Sequence, residues 1–136
     1  MKILLIVAAV LVTLIVVLAI LGALLPVAHI ASRTARFPKP PAELFPNIEQ
    51  LTQEQQSDVP FDIIERQEPS KLVTKIKPGK PFGGTWTYEL TADGTGSTLT
   101  ITERGEVYNP VFRFLSKYAF GHTATIDGYL KKLAAR

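Results

Sequence analysis

The sequence predicts an α+β protein: an N-terminal membrane-spanning helix, then an antiparallel sheet packed on a long C-terminal helix. Three observations carry that reading. An uncharged apolar run occupies residues 3–25. Two neighbouring segments alternate strictly between apolar and polar side chains. The last segment repeats apolar residues at spacings of three and four. A sheet with one dry face and a helix with one dry stripe must cover each other.

The apolar run, Ile3 to Leu25, holds no charge, and its one polar residue, Thr13, is able to bond back to its own helix. About 20 such residues cross a bilayer core. A cleaved signal peptide would carry a shorter apolar stretch of roughly 7–15 residues and a small-x-small site after it, which Pro26-Val27-Ala28-His29-Ile30-Ala31 does not offer. The expected division is therefore an anchor at 1–26, ended by Pro26, and a domain at 27–136. The partner of residues 3–25 would be the lipid bilayer, in a single-pass cell-membrane protein. Lys2 on one side and Arg33, Arg36 and Lys39 on the other lean slightly towards a cytoplasmic domain and leave the side open.

The 136-residue chain carries 15 basic and 12 acidic side chains. Lys2 is the only charged side chain before residue 27, so the domain holds 14 basic against 12 acidic, a net +2. That mild excess suits an anionic membrane surface and is too scattered for nucleic acid. The absence of cysteine excludes disulfides, thiolate chemistry and cysteine zinc sites. With two histidines far apart in sequence, no metal site and no cofactor are expected; His29, just beyond the apolar run, reads as an interfacial residue.

Ala28–Phe37 reads as a strand close to the membrane, ended by Pro38, Pro40 and Pro41. Pro41-Ala42-Glu43-Leu44-Phe45 resembles a helix start, with proline in the first position and an acid in the first turn. Pro46 should cut or kink that helix, leaving a second short one in Asn47–Ser57. Phe61–Arg66 and Lys71–Ile76 follow as strands around a turn at 67–70. The glycines at 79, 83 and 84 lack the pattern and following helix of a phosphate loop. In Thr85–Thr91 the large apolar residues hold even positions, and in Thr98–Arg104 they hold odd positions. With a turn at 92–96 these form a hairpin whose dry face is Trp86, Tyr88, Leu90, Leu99 and Ile101. Asn109 caps a helix with Pro110 in its first turn. Its stripe is Val111, Leu115, Tyr118, His122, Ile126, Tyr129 and Leu133, with Gly121 and Gly128 as points for a kink.

Two polar residues fall on otherwise dry faces, Glu103 and His122. Brought within reach of each other they would form an acid/base pair; the plainer reading is a strand end and a hydrogen-bonded core histidine. Tyr88, Tyr118 and Tyr129, with Trp86, either line a pocket or serve as ordinary core aromatics.

The segments Pro81–Leu90, Thr98–Glu103, Asn109–Phe114 and the C-terminal helix resemble the second half of a START-like domain of the SRPBCC group, the polyketide cyclase/dehydrase and lipid-transport type. Ala28–Phe37 and Pro40–Leu44 resemble its opening strand and helix, and membrane-tethered bacterial members have a similar N-terminal span. The resemblance implies a helix-grip fold, in which a curved antiparallel sheet wraps a long C-terminal helix around an apolar cavity. Phe82 would border its mouth, and Trp86, Tyr88, Leu99, Ile101, Tyr118, His122, Ile126 and Tyr129 would line it. The family normally has two more strands between the opening helix and Phe61, where this chain has only Asn47–Pro60, so the sheet should be about two strands short. The resemblance implies binding of a hydrophobic or amphipathic, lipid-like molecule without catalysis. Alternatives are a cyclase/dehydrase-type enzyme using Glu103 and His122, or a reduced structural or partner-binding protein.

Overall fold

The structure is a computed structural model that describes residues 1–136. Its first element, α1 (Lys2–Ala23), has no charged side chain after Lys2 and is long and apolar enough to cross a membrane. Thr13 donates to the Ala9 carbonyl (2.8 Å), so the helix carries no unpaired side-chain hydroxyl. Gly22 is its only buried residue.

A five-stranded, wholly antiparallel sheet follows, in the order β1-β5-β4-β3-β2. Its strands are β1 (Ala28–Phe37), β2 (Phe61–Gln67), β3 (Lys71–Ile76), β4 (Phe82–Asp93) and β5 (Gly96–Val107). The β4–β5 hairpin sets the register: Asp93 pairs with Gly96, so Leu90 faces Leu99, Tyr88 faces Ile101 and Trp86 faces Glu103. Paired residues share a face, which makes the alternation of both strands one dry surface. Leu99 and Ile101 are fully buried, and Tyr88 and Leu90 nearly so.

Helix α2 (Pro41–Glu54) covers the end of that surface farthest from α1. Its buried residues, Leu44, Phe45, Ile48, Leu51 and Thr52, recur at helical spacing. The expected break at Pro46 does not occur. The helix runs through Pro46 to Glu54 and ends in a short 3₁₀ turn, Gln55–Ser57. Proline removes one amide donor, and burial of the four apolar residues outweighs that loss.

The single long C-terminal helix is likewise replaced, by three pieces: α3 (Pro110–Leu115), a π-helical turn at Ser116–Phe120, and α4 (Ala124–Ala134). Asn109 caps α3, its Oδ1 accepting from the amides of Val111 and Phe112. Gly121 then takes φ +78°, ψ 149°, which no helix continues through and which residues with a Cβ rarely adopt. The break turns the first half of the expected stripe away from the second. Ile126, Tyr129 and Leu133 of α4 are buried against the sheet and α2, while Tyr118 is 63% exposed.

The domain is clamped to α1. Arg113 is buried, and its guanidinium donates to the carbonyls of Gly22 (3.0 Å) and Leu25 (3.2 Å) at the end of α1. It also donates to Val107 and Tyr108 at the end of β5. The last carbonyls of a helix lack intrahelical partners and carry partial negative charge, so a forked cation there satisfies both. A Cβ at Gly22 would lie 1.7 Å from the Pro110 carbonyl oxygen, so α1 and α3 meet backbone to backbone.

Candidate functional site

The sheet face changes character towards the end next to α1. Beyond the Trp86–Glu103 pair, β4 and β5 meet at Gly84 and Gly105, and β1 places His29 beside Gly105. Neither glycine carries a side chain into this row. Gly84 has φ +119°, and a Cβ on it would lie 2.1 Å from the Arg104 carbonyl oxygen. A Cβ on Gly105 would lie 2.6 Å from His29 Cε1 and Nε2. The bay left by Gly105 is therefore filled by the His29 imidazole.

Glu103 stands one step further along β5 on the same face. Its carboxylate accepts from Trp86 Nε1 (3.0 Å) and lies 3.3 Å from His29 Nε2. The two side chains of this histidine–carboxylate pair are 15% and 18% exposed. The His29 ring stacks on His122, centroids 4.0 Å apart and planes 24° from parallel. His122 reaches that place because the chain leaves the helix at Gly121. Burial, and then the neighbouring His29, hold the His122 imidazole below its ordinary value, partly opposed by Glu103. Glu103 and His122 are thus joined through His29, not by direct contact. His29, three residues beyond Pro26, lies on β1 and is bonded to Glu103.

A pocket of about 420 Å³ opens between this half of the sheet, the end of α2 and α4. Phe61, Ile76, Phe82, Trp86 and Tyr88 form its apolar wall, and Glu103 and Thr74 are its polar wall on the sheet. Asp58 and Lys132 contribute opposite charges from the helical side. Glu103 pairs with Ala31, about 17 Å of strand beyond Pro26 at roughly 3.4 Å per residue.

Behind the pocket Tyr129 joins Trp86 edge-on at 5.8 Å and Tyr88 at 5.5 Å. Its hydroxyl donates to the Ile48 carbonyl and shares a hydrogen bond with Thr52. Burial pushes the Tyr88 phenol up to about 12 and raises Tyr129 too, so both stay protonated at neutral pH.

Of the residues expected to line a cavity, Phe82, Trp86, Tyr88 and Glu103 come together on the pocket wall. Leu99, Ile101, Ile126 and Tyr129 are sealed in the core and form its backing. His122 lies in a small recess beside His29, Lys117 and Arg113. Tyr118 is elsewhere, against Leu21, Leu25 and Phe114 at the end of α1. His29 carries no periodic signal: it sits at the start of a strand, 74 residues from Glu103.

No protein-family model and no curated protein sequence matches the chain. Solved structures do match it. Mll3558 from Rhizobium loti superposes with a TM-score of 0.61 at 18% identity, over 79% of this chain and 96% of that one. CalU16 from Micromonospora echinospora gives 0.60 at 14% identity, over 79% and 73%. MLL2253 from Mesorhizobium loti gives 0.61 at 12% identity, over 79% and 95%. These are helix-grip structures. At such identities the likeness speaks for the fold alone, and the chain has the helix-grip fold, with an open five-stranded sheet and its C-terminal helix in pieces.

Proposed function

We propose that the chain is a membrane-anchored helix-grip domain that binds a hydrophobic or amphipathic, lipid-like molecule. The pocket of about 420 Å³ carries this reading. Small-molecule sites span roughly 300–1,000 Å³ and combine apolar walls with a few placed polar groups. Here the wall is aromatic and aliphatic, and the polar group is a carboxylate fixed by Trp86 and His29. The pocket occupies the half of the sheet next to α1, within reach of a bilayer crossed by residues 3–25.

The test uses the full chain purified in mild detergent. Native mass spectrometry should find an apolar molecule retained, and a fluorescent fatty acid should bind. Ile76→Trp, which fills the pocket from β3, should weaken that binding at least about tenfold, roughly 1.4 kcal/mol, with unchanged circular dichroism. The reading fails if nothing co-purifies and no fatty acid binds, or if Ile76→Trp binds as the parent does.

A second reading, acid/base catalysis of the cyclase or dehydratase kind, draws on the line Glu103–His29–His122. A carboxylate bonded to one imidazole, with a second imidazole stacked on it, groups candidate acids and bases at one place. It predicts that, at saturating ligand, a bound molecule loses one water mass with the parent protein and not with Glu103→Gln. Identical products from both would remove it.

A further inference from the structure

We infer that Pro110–Phe120 is an interfacial element, embedded at the headgroup level of the bilayer crossed by α1; this rests on the membrane-anchor reading above. Three observations meet there. First, position: α3 begins against Gly22, with the Pro110 carbonyl where a Cβ would stand, and Arg113 holds the carbonyls of Gly22 and Leu25. The segment is thereby fixed at the end of the apolar helix, where a hydrocarbon core would give way to headgroups.

Second, surface: Phe112 is 53% exposed, Tyr118 63% and Phe120 69%, in a stretch of eleven residues. A domain of this size does not leave three large aromatic side chains so exposed in one short segment without a partner. Tyr118 and Phe114 also border an apolar groove of about 390 Å³ whose other wall is Leu21, Leu24 and Leu25 of the helix end. That groove is continuous with the surface that lipid would cover, so acyl chains are its natural filling. Third, chemistry: aromatic residues prefer the membrane–water boundary, where a ring is buried while its polar edge stays wet. Lys117 lies 5.4 Å from the Tyr118 ring centroid, a cation beside an aromatic ring, suited to lipid phosphate.

A second copy of this chain or another protein would also cover aromatic side chains. Neither accounts for the attachment to the end of α1, and a bilayer does. The consequence reaches the site. Gly121 follows Phe120 directly, and His122 stacks on His29, so the membrane-facing segment leads straight into the histidine pair.

The chain has no cysteine, so single introduced cysteines label cleanly. Four full-length variants, Phe112→Cys, Phe120→Cys, Leu14→Cys and Glu89→Cys, would be labelled with an environment-sensitive fluorophore. They would be reconstituted into phosphatidylcholine/phosphatidylglycerol vesicles containing lipids spin-labelled at shallow or deep positions. Labels at 112 and 120 should be quenched most by the shallow label, that at 14 by the deep label, and that at 89 by neither. If the label at 14 is quenched deep while those at 112 and 120 stay in water, the anchor stands and the inference falls. If 112 and 120 are shielded yet unquenched by either lipid, a protein surface covers them and the inference falls. If the label at 14 is itself unquenched, the anchor reading fails and takes the inference with it.

Discussion

The two halves of one sheet face are built in opposite ways. Far from α1, the pair Leu90–Leu99 and, at the border with the pocket, the pair Tyr88–Ile101 are covered by Ile48 and Phe45 of α2 and Ile126 and Leu133 of α4, every one nearly or fully buried. Near α1, the same strands present Gly84 opposite Gly105 and a carboxylate beside an open pocket, and β1 adds an imidazole. The C-terminal segment divides accordingly: Ile126 and Leu133 of α4 close over the first half, and the helix is broken at Gly121 beside the second. The far half is held by filled volume, whereas the near half is arranged around volume withheld. Atoms should therefore be missed when removed from one and resented when added to the other.

Removing atoms from the far half should give the largest effect. Leu99 is fully buried at the centre of the core cluster. Leu99→Ala should cost about 2–5 kcal/mol, through lost transfer energy and the cavity left behind. Urea titration of the full chain in detergent, followed by the fluorescence of Trp86, the only tryptophan, measures this. A loss below about 1 kcal/mol would mean that the far half is not the filled core described.

Adding an atom to the near half should come next. Gly105→Ala needs no unusual backbone angle, but its methyl group would stand 2.6 Å from His29. The imidazole must leave the bay, and with it go the bond to Glu103 and the stack on His122. Overpacking of this kind costs roughly 1–3 kcal/mol. The diagnostic change is in the ring signals of both histidines by NMR, which Leu99→Ala should leave in place. Unaltered histidine signals in Gly105→Ala would show that the bay is not what seats His29.

The contrast also governs what could be read from sequence. The filled half was legible because apolar alternation in Thr85–Thr91 and Thr98–Arg104 is a local pattern. The hollow half was legible only in part. Once Gly94-Thr95 is taken as the two-residue turn, pairing Asp93 with Gly96, simple counting along the hairpin sets Trp86 opposite Glu103 and Gly84 opposite Gly105. Nothing local places His29 in that bay, because the register of β1 on β5 is decided by pairing between residues 60 to 78 positions apart. Tyr118 falls off the predicted stripe for a related reason: the positive φ of Gly121 cancels the 3.6-residue period on which that stripe rests. Pro46 erred in the other direction, a local breaker overridden by the burial of Leu44, Phe45, Ile48 and Leu51 around it.

The smallest expected effect distinguishes the halves by their response to protons. The core phenols of Tyr88 and Tyr129 are pushed upward by burial, away from the neutral range. The His122 imidazole is pulled downward, first by burial and then by His29. The folded chain therefore binds this proton less readily than the unfolded chain, whose histidine titrates near 6.5. Stability from this group is complete above pH about 6.5 and is lost as pH falls from there through the lower folded value. The loss should be small, because the ring is only partly buried and the remaining solvent screens the charge. Comparing urea midpoints of the parent and His122→Asn at pH 7.5 and 5.5 isolates it. The variant loses the stack at both values, an offset independent of pH, while only the parent should weaken further on acidification through this group. Equal pH dependence in the two would show that His122 is not held neutral by the fold, and the near half would then respond to protons no differently from the far one.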